Sequence, residues 1–179
     1  MTDSRASSFA PVFAPNARVL VVGSMPGRRS LAVSQYYAHP RNAFWPILGA
    51  CLGFSPDLPY VDRLRALGGA GIALWDVLAS CERPGSLDAD VRLADATSNN
   101  FAWLFAQCPR LSHVLCNGAL AHEQFVRRVL PSLAATNAPT VHRLPSTSPA
   151  HAGVAGSAKL AAWRAALAAA GVRLAASDS

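Results

Sequence analysis

Short β-branched runs alternate along this chain with stretches in which apolar residues recur every three or four positions. Arg18-Val19-Leu20-Val21-Val22 ends at Gly23. So compact an apolar run, bounded by glycine, predicts a buried parallel strand. Gly71-Ile72-Ala73-Leu74-Trp75 before Asp76, His113-Val114-Leu115-Cys116 before Asn117-Gly118, and Thr140-Val141-His142-Arg143-Leu144 have the same character. Between them, helical spacing places Phe44, Ile47, Leu48 and Cys51 on one face, and likewise Leu58, Val61 and Leu64. Phe101, Leu104, Phe105 and Cys108 form another such face, and Ala121, Phe125 and Val129 another within 119–130. Ser30 is placed to cap a short helix carrying Leu31 and Val33, and Ser157 a last one burying Leu160, Trp163 and Leu167, which Gly171 stops. Residues 82–99, rich in Asp, Ser, Gly and Arg, predict a surface loop with a weak helix.

Strands alternating with helices predict an α/β fold, a three-layer α/β/α sandwich around a central four-stranded parallel sheet. The polar, proline-bearing residues 1–16 are expected as a flexible arm and 17–175 as one domain, a size that buries a sizeable core. No internal repeat is present. Ligands of such sheets bind beyond the carboxyl ends of the strands. The segments 23–27, 76–81, 117–118 and 145–151 are therefore expected to share one rim.

Composition narrows the partner. A net charge of +6 with a pI near 9.8 suits a polyanion, and nearly all the cations are arginines, Lys159 being the one lysine. The first residues lack the basic flank and long apolar run of a secretory signal. No stretch approaches the roughly 18 apolar residues of a membrane span. The expectation is a cytoplasmic protein, nucleoid-associated when on DNA. Cys51, Cys81, Cys108 and Cys116 contain no Cys-x-x-Cys pair and suit buried free thiols.

Gly23-Ser24-Met25-Pro26-Gly27 is a tight strand-to-loop turn, which an ordinary βα loop also explains. It is not a Walker loop, since three residues rather than four separate its glycines and Arg28 comes next. Asn42 precedes an apolar helical run and makes a good N-cap. Tyr36, Tyr37, Phe44 and Trp45 supply aromatic surface, either core or stacking platform. His39 suits a structural role or a DNA contact. Asp76 is an acceptor at a strand end, or a cap for the next segment. Asn117-Gly118 suits a turn. Leu144-Pro145-Ser146-Thr147-Ser148-Pro149-Ala150-His151 is dense in hydroxyls and stiffened by prolines. That suits phosphate contacts as well as a surface loop.

Taken together, 23–27, the segment Tyr36-Tyr37-Ala38-His39-Pro40-Arg41-Asn42-Ala43-Phe44-Trp45 and the loop 144–151 resemble two motifs of the uracil-DNA glycosylase superfamily. The similarity is greatest to its hypoxanthine-DNA (deoxyinosine) glycosylase branch. Many members carry Asp or Asn before the motif proline to position the attacking water, whereas this chain has Met25. The resemblance moves that catalytic role to Asn42. It implies that Tyr37 stacks on the flipped base while Asp76, with backbone N–H groups near Ser24 and Met25, holds its edge. It implies DNA contacts from Pro145, Ser146, Thr147, Ser148 and His151, with Asn or His often ending the family's motif. The implied activity is monofunctional hydrolysis of an N-glycosidic bond in base excision repair, most suited to hypoxanthine. The implied partner is damaged DNA, acted on by a monomer with no obligate protein partner. No metal or organic cofactor is implied, and the cysteine spacing offers no iron–sulfur cluster of the kind some members carry. No lysine lies in either motif, which argues against a Schiff-base lyase step. The alternatives are excision of uracil or mismatched bases, an inactive DNA-binding module of the same fold, and an unrelated small-molecule enzyme.

Overall fold

A computed structural model describes residues 5–85, 87–133 and 138–176. The chain opens with a short strand, β1 (Arg5–Ser7). Strand β2 (Val19–Gly23) leads to three helices, α1 (Arg28–Val33), α2 (Phe44–Leu52) and α3 (Tyr60–Gly69). Strand β3 (Ile72–Asp76) turns directly into a hairpin of β4 (Leu78–Glu82) and β5 (Arg92–Ser98). Helix α4 (Phe101–Gln107), strand β6 (His113–Asn117), helix α5 (Ala119–Gln124), strand β7 (Thr140–Leu144) and helix α6 (Gly156–Ala169) complete the order.

The central sheet is the expected four-stranded parallel one, in the order β3-β2-β6-β7. Alternation along each strand divides the core between its faces. Val19, Val21, Ile72, Leu74 and Leu115 pack against α2, α3 and α6 through Phe44, Leu48, Leu67, Trp163 and Leu167. Leu20, Val22, Trp75, Val114 and Cys116 pack against α4 and α5 through Phe101, Leu104, Ala121 and Phe125, and against the hairpin through Leu78 and Cys81. All four cysteines are buried and free, and burial pushes the Cys116 thiol up to about 12. No helix among the described residues is long and apolar enough to cross a membrane.

Several elements differ from their sequence-based expectations. Residues 5–16 are not a loose arm. β1 pairs antiparallel with β4, Arg5 opposite Glu82 and Ser7 opposite Ser80. Val12 and Leu74 exchange backbone hydrogen bonds of 2.9 and 2.8 Å, and the Trp75 indole donates to the Phe9 carbonyl at 3.0 Å. This segment covers the β3 edge, where open backbone groups would otherwise face water. Residues 1–4 of the expected arm lie outside the described residues. The expected loop 82–99 contains β5, and a second, three-stranded antiparallel sheet runs β1-β4-β5. Helix α3 starts after Pro59, so Leu58 precedes it and Val61 faces solvent, while Leu67 takes the core position. Ser30 is not a cap: it is buried inside α1 and its hydroxyl accepts the Ala38 N–H at 3.1 Å. Ser157 is not one either, since α6 begins at Gly156 without a side-chain cap. Gly171 does stop α6, at φ 75°.

Candidate active site

The parallel register brings the strand ends together. Gly23 lies opposite Asp76, Val22 opposite Cys116, and Asn117 opposite Leu144. The segments expected to share a rim therefore do share one.

Gly23 is bare because nothing larger fits. A Cβ there would lie 2.7 Å from Asp76 Oδ1 and 3.3 Å from the Tyr37 hydroxyl. Asp76 is 3% exposed, and its Oδ2 accepts the Ser8 hydroxyl at 3.0 Å. Burial pushes its carboxyl up to about 7; the Ser8 hydrogen bond and the Arg83 charge pull the other way, and Asp88 adds to the rise. Ser8 lay in the supposed arm, so sequence spacing offered no sign of this partner.

Tyr37 has a left-handed backbone, φ 56°, uncommon for a bulky side chain and a mark of functional sites. Its ring lies flat on Phe44, centroids 3.8 Å apart with planes 23° apart. Phe44 is itself fully buried, so it is core rather than contact surface. Tyr37 as a residue is partly buried, whereas its hydroxyl is buried without a geometric hydrogen-bond partner among the described residues. Burial, followed by the nearby Asp76 carboxylate, holds this phenol far above its usual range. The Asn117 amide lies alongside and pulls the other way; Thr147 takes only one of its two Nδ2 hydrogens.

Asn42 is half-buried just before α2. Its Oδ1 accepts the Phe44 N–H at 2.9 Å from one residue before the N-cap, a position Ala43 occupies. One Oδ1 lone pair remains, and Nδ2 has no acceptor among the described residues. Capping and a second role are thus compatible on one amide.

The 23–27 loop contributes mainly backbone. Met25 buries its side chain in the core with Trp75 and Val77. The Ser24 hydroxyl donates to Asp88 Oδ1 at 2.5 Å. Neither side chain is free to meet a base, which leaves their peptide groups, the groups the resemblance implies there. Arg83, from the hairpin, donates to the carbonyls of Met25 and Pro26.

The second motif is tied down by Asn117. Its Nδ2 donates to the Thr147 hydroxyl at 2.8 Å and its Oδ1 accepts the Thr147 N–H at 2.9 Å. The Thr147 carbonyl accepts the Ala43 N–H at 3.0 Å, joining the two motifs directly. Thr147 is 1% exposed, so its hydroxyl is a structural tie and not a phosphate contact as expected. Asn117, expected as a plain turn, holds this loop. Pro145 gives its carbonyl to the Trp163 indole at 3.1 Å, and the Ser146 hydroxyl accepts the Ser148 N–H at 3.2 Å. Ser146 and Ser148 are partly exposed, and His151 is exposed. Lys159 is 6% exposed and donates to the His151 carbonyl at 2.7 Å.

An open polar cleft of about 540 Å3 lies at the opposite end of the sheet, lined by Asn16, Arg18, Arg110 and residues 69–71. The carbonyl end of α3 faces it, so its arginines offset a helix dipole, and no rim residue reaches it.

The sequence model of the Uracil DNA glycosylase superfamily matches residues 10–169. The chain belongs to the uracil DNA glycosylase superfamily and is a DNA glycosylase. A Hypoxanthine DNA glycosylase of Methanosarcina barkeri is 39% identical over 116 residues, 64% of this chain and 72% of that one. Another protein of that name, from Methanosarcina acetivorans, is 33% identical over 138 residues, 72% of this chain and 86% of that one. A solution NMR structure of a candidate uracil DNA glycosylase from Methanosarcina acetivorans superposes with a TM-score of 0.74 at 30% identity, covering 90% of this chain and 98% of that one.

Proposed function

We propose that this enzyme hydrolyses the N-glycosidic bond of deoxyinosine in DNA, releasing hypoxanthine and leaving an abasic site. The observation that carries the base assignment is an Asp76 Oδ1 that lies, with the Tyr37 hydroxyl, against a bare Gly23. Ser8 occupies the other carboxyl oxygen, so Oδ1 is the acceptor left over. Hypoxanthine presents an N1–H donor on its Watson–Crick edge, and Oδ1 is its acceptor. The names of the two Methanosarcina relatives support the same base.

The target nucleotide leaves the stack first, because the scissile bond is hard to reach within a duplex. Tyr37, partly buried and backed by Phe44, stacks on the extruded base. Such stacking is worth about 1–3 kcal/mol. Pro145, Ser146, Ser148 and His151 meet the DNA backbone and help hold the nucleotide out. Asn42 uses its remaining Oδ1 lone pair to orient the water that attacks C1′. The C1′–N9 bond breaks, its electron pair leaves with the base, the water loses a proton and the base takes one up. Peptide groups of 23–27 stabilise the charge that develops on the base. The lone lysine is buried and bound to a carbonyl, which supports simple hydrolysis without a lyase step.

Single-turnover incubation with labelled duplexes carrying hypoxanthine, uracil or no lesion, then alkali, tests this. Strand breaks at hypoxanthine are expected. Breaks at uracil alone would move the enzyme to the uracil or mismatch branch, and binding without breaks would leave an inactive module.

A further inference from the structure

Arg83 takes no part in the reaction as proposed so far. It comes just after β4 in the hairpin and is 5% exposed. Its guanidinium donates to the Met25 carbonyl at 3.5 Å and, more closely, to the Pro26 carbonyl. Nε has no hydrogen-bond partner among the described residues. No carboxylate oxygen among those residues lies within 4.0 Å of its nitrogens. Asp88 is exposed to solvent and bonded to Ser24, and Asp76 is bonded to Ser8. Burial pulls the Arg83 pKa down, but a guanidinium keeps its proton at neutral pH.

A buried cation bonded only to neutral carbonyls is expensive, and a neutral donor would tie the same loop at lower cost. Part of the charge offsets the Asp76 and Asp88 carboxylates at longer range, and neither is bonded to it. The loop it holds is the wall of the proposed base site, where the departing base becomes an anion.

We propose that Arg83 is a positioning residue whose positive charge, acting through the Pro26–Gly27 peptide group, stabilises the anionic leaving base. A guanidinium bonded to the Pro26 carbonyl polarises the Pro26–Gly27 peptide and strengthens its N–H as a donor. In a site closed to water its field also acts with little screening. Before reaction the charge has no anion in contact, only the more distant Asp76 and Asp88. As the C1′–N9 bond breaks, the electron pair moves onto the purine and supplies one. The interaction is thus stronger in the transition state than in the ground state, the condition for raising the chemical rate.

This inference rests on the proposed glycosylase reaction, and the experiment separates the two. Single-turnover rates at saturating enzyme are measured on duplexes carrying hypoxanthine or 8-azahypoxanthine, which has the same Watson–Crick edge but a more acidic N9–H. The full chain is compared with Arg83→Gln, which keeps a neutral donor, and Arg83→Lys, which keeps the charge; circular dichroism and melting confirm folding. Arg83→Gln is expected to slow hypoxanthine release at least about tenfold, and 8-azahypoxanthine release several-fold less, because a better leaving group needs less help. Arg83→Lys should fall between wild type and Arg83→Gln on hypoxanthine. Equal slowing on both bases by Arg83→Gln, or equal slowing by both variants, would make Arg83 a structural tie and overturn the inference. Failure of both variants to fold would do the same. Absence of cleavage by the wild type on either duplex would instead sink the proposed function.

Discussion

Asn42 and Asp76 each carry a local structural duty that has to be separated from chemistry. Asn42 Oδ1 bonds the Phe44 N–H, so Asn42→Ala removes a helix-start bond worth about 0.5–2 kcal/mol as well as the amide proposed to hold the water. Serine at this position can restore the bond to the backbone but not the amide. Asn42→Ser should therefore recover most of the melting temperature lost by Asn42→Ala, while both stay at least about tenfold below wild type in single-turnover rate. Recovery of rate together with stability would reduce Asn42 to a cap. Asp76 gives a pH test. Its folded pKa of about 7 lies above the unfolded value of about 3.9, so the native state holds the extra proton between them. Stability is then highest below the unfolded pKa, falls as pH rises toward the folded one, and is flat above it. Asp76→Asn abolishes that slope and should gain about 2–3 kcal/mol on wild type between about pH 5 and about pH 8. Chemical denaturation at the two pH values measures the difference, and a constant offset would place the charge outside the buried rim. Gly23 and Asp76 are legible in sequence as strand ends. The Ser8 hydroxyl that holds Asp76 is not, because their pairing depends on a segment 68 positions away folding back over the sheet edge.

At the level of elements, the parallel strands and most helices are legible because burial on both faces writes long apolar runs. The hairpin is not. Only Leu78 and Cys81 of β4, and Ala96 of β5, are buried, and register shifts between Leu78 and Glu82 break the period-two signal. The Asn117–Thr147 clamp is hidden for a different reason. Asn-Gly after a strand is ordinary turn chemistry, and only the β6–β7 register brings Asn117 next to the end of β7. The clamp fixes the second motif, and it carries a prediction. Asn117→Ala leaves the buried Thr147 N–H and hydroxyl without partners, at about 1–3 kcal/mol for each orphaned group. The variant should lose stability on that scale and bind lesion-bearing and plain duplexes more weakly by the same factor, since a loosened loop serves both. Calorimetric melting and binding titrations would show this, and a loss confined to lesion DNA would place Asn117 in base recognition instead.

The groups proposed for recognition lie at one end of the parallel sheet. Helices cover both faces, residues 5–16 cover the β3 edge, and the hairpin and the 145–151 loop flank the rim from opposite sides. Arg29 lies just beyond the 23–27 loop, Arg41 sits in the Tyr37–Phe44 segment, and Arg143 is the penultimate residue of β7; all three are exposed. None of them makes an ion pair among the described residues. Exposed cations ringing a site are the means by which a duplex is held without regard to sequence. Each phosphate neutralised releases condensed counterions and adds about 0.9 to the slope of log affinity against log salt. Replacing Arg41 and Arg143 with Gln should therefore reduce that slope by up to about 1.8 and weaken hypoxanthine-bearing and undamaged duplexes alike. The single-turnover rate at saturating enzyme should stay within about twofold of wild type, because neither side chain reaches the buried groups that act on the base. Titration across a salt series measures both quantities. An unchanged slope would put the DNA on another face, and the polar cleft between Arg18 and Arg110 at the far end of the sheet would be the next surface to neutralise.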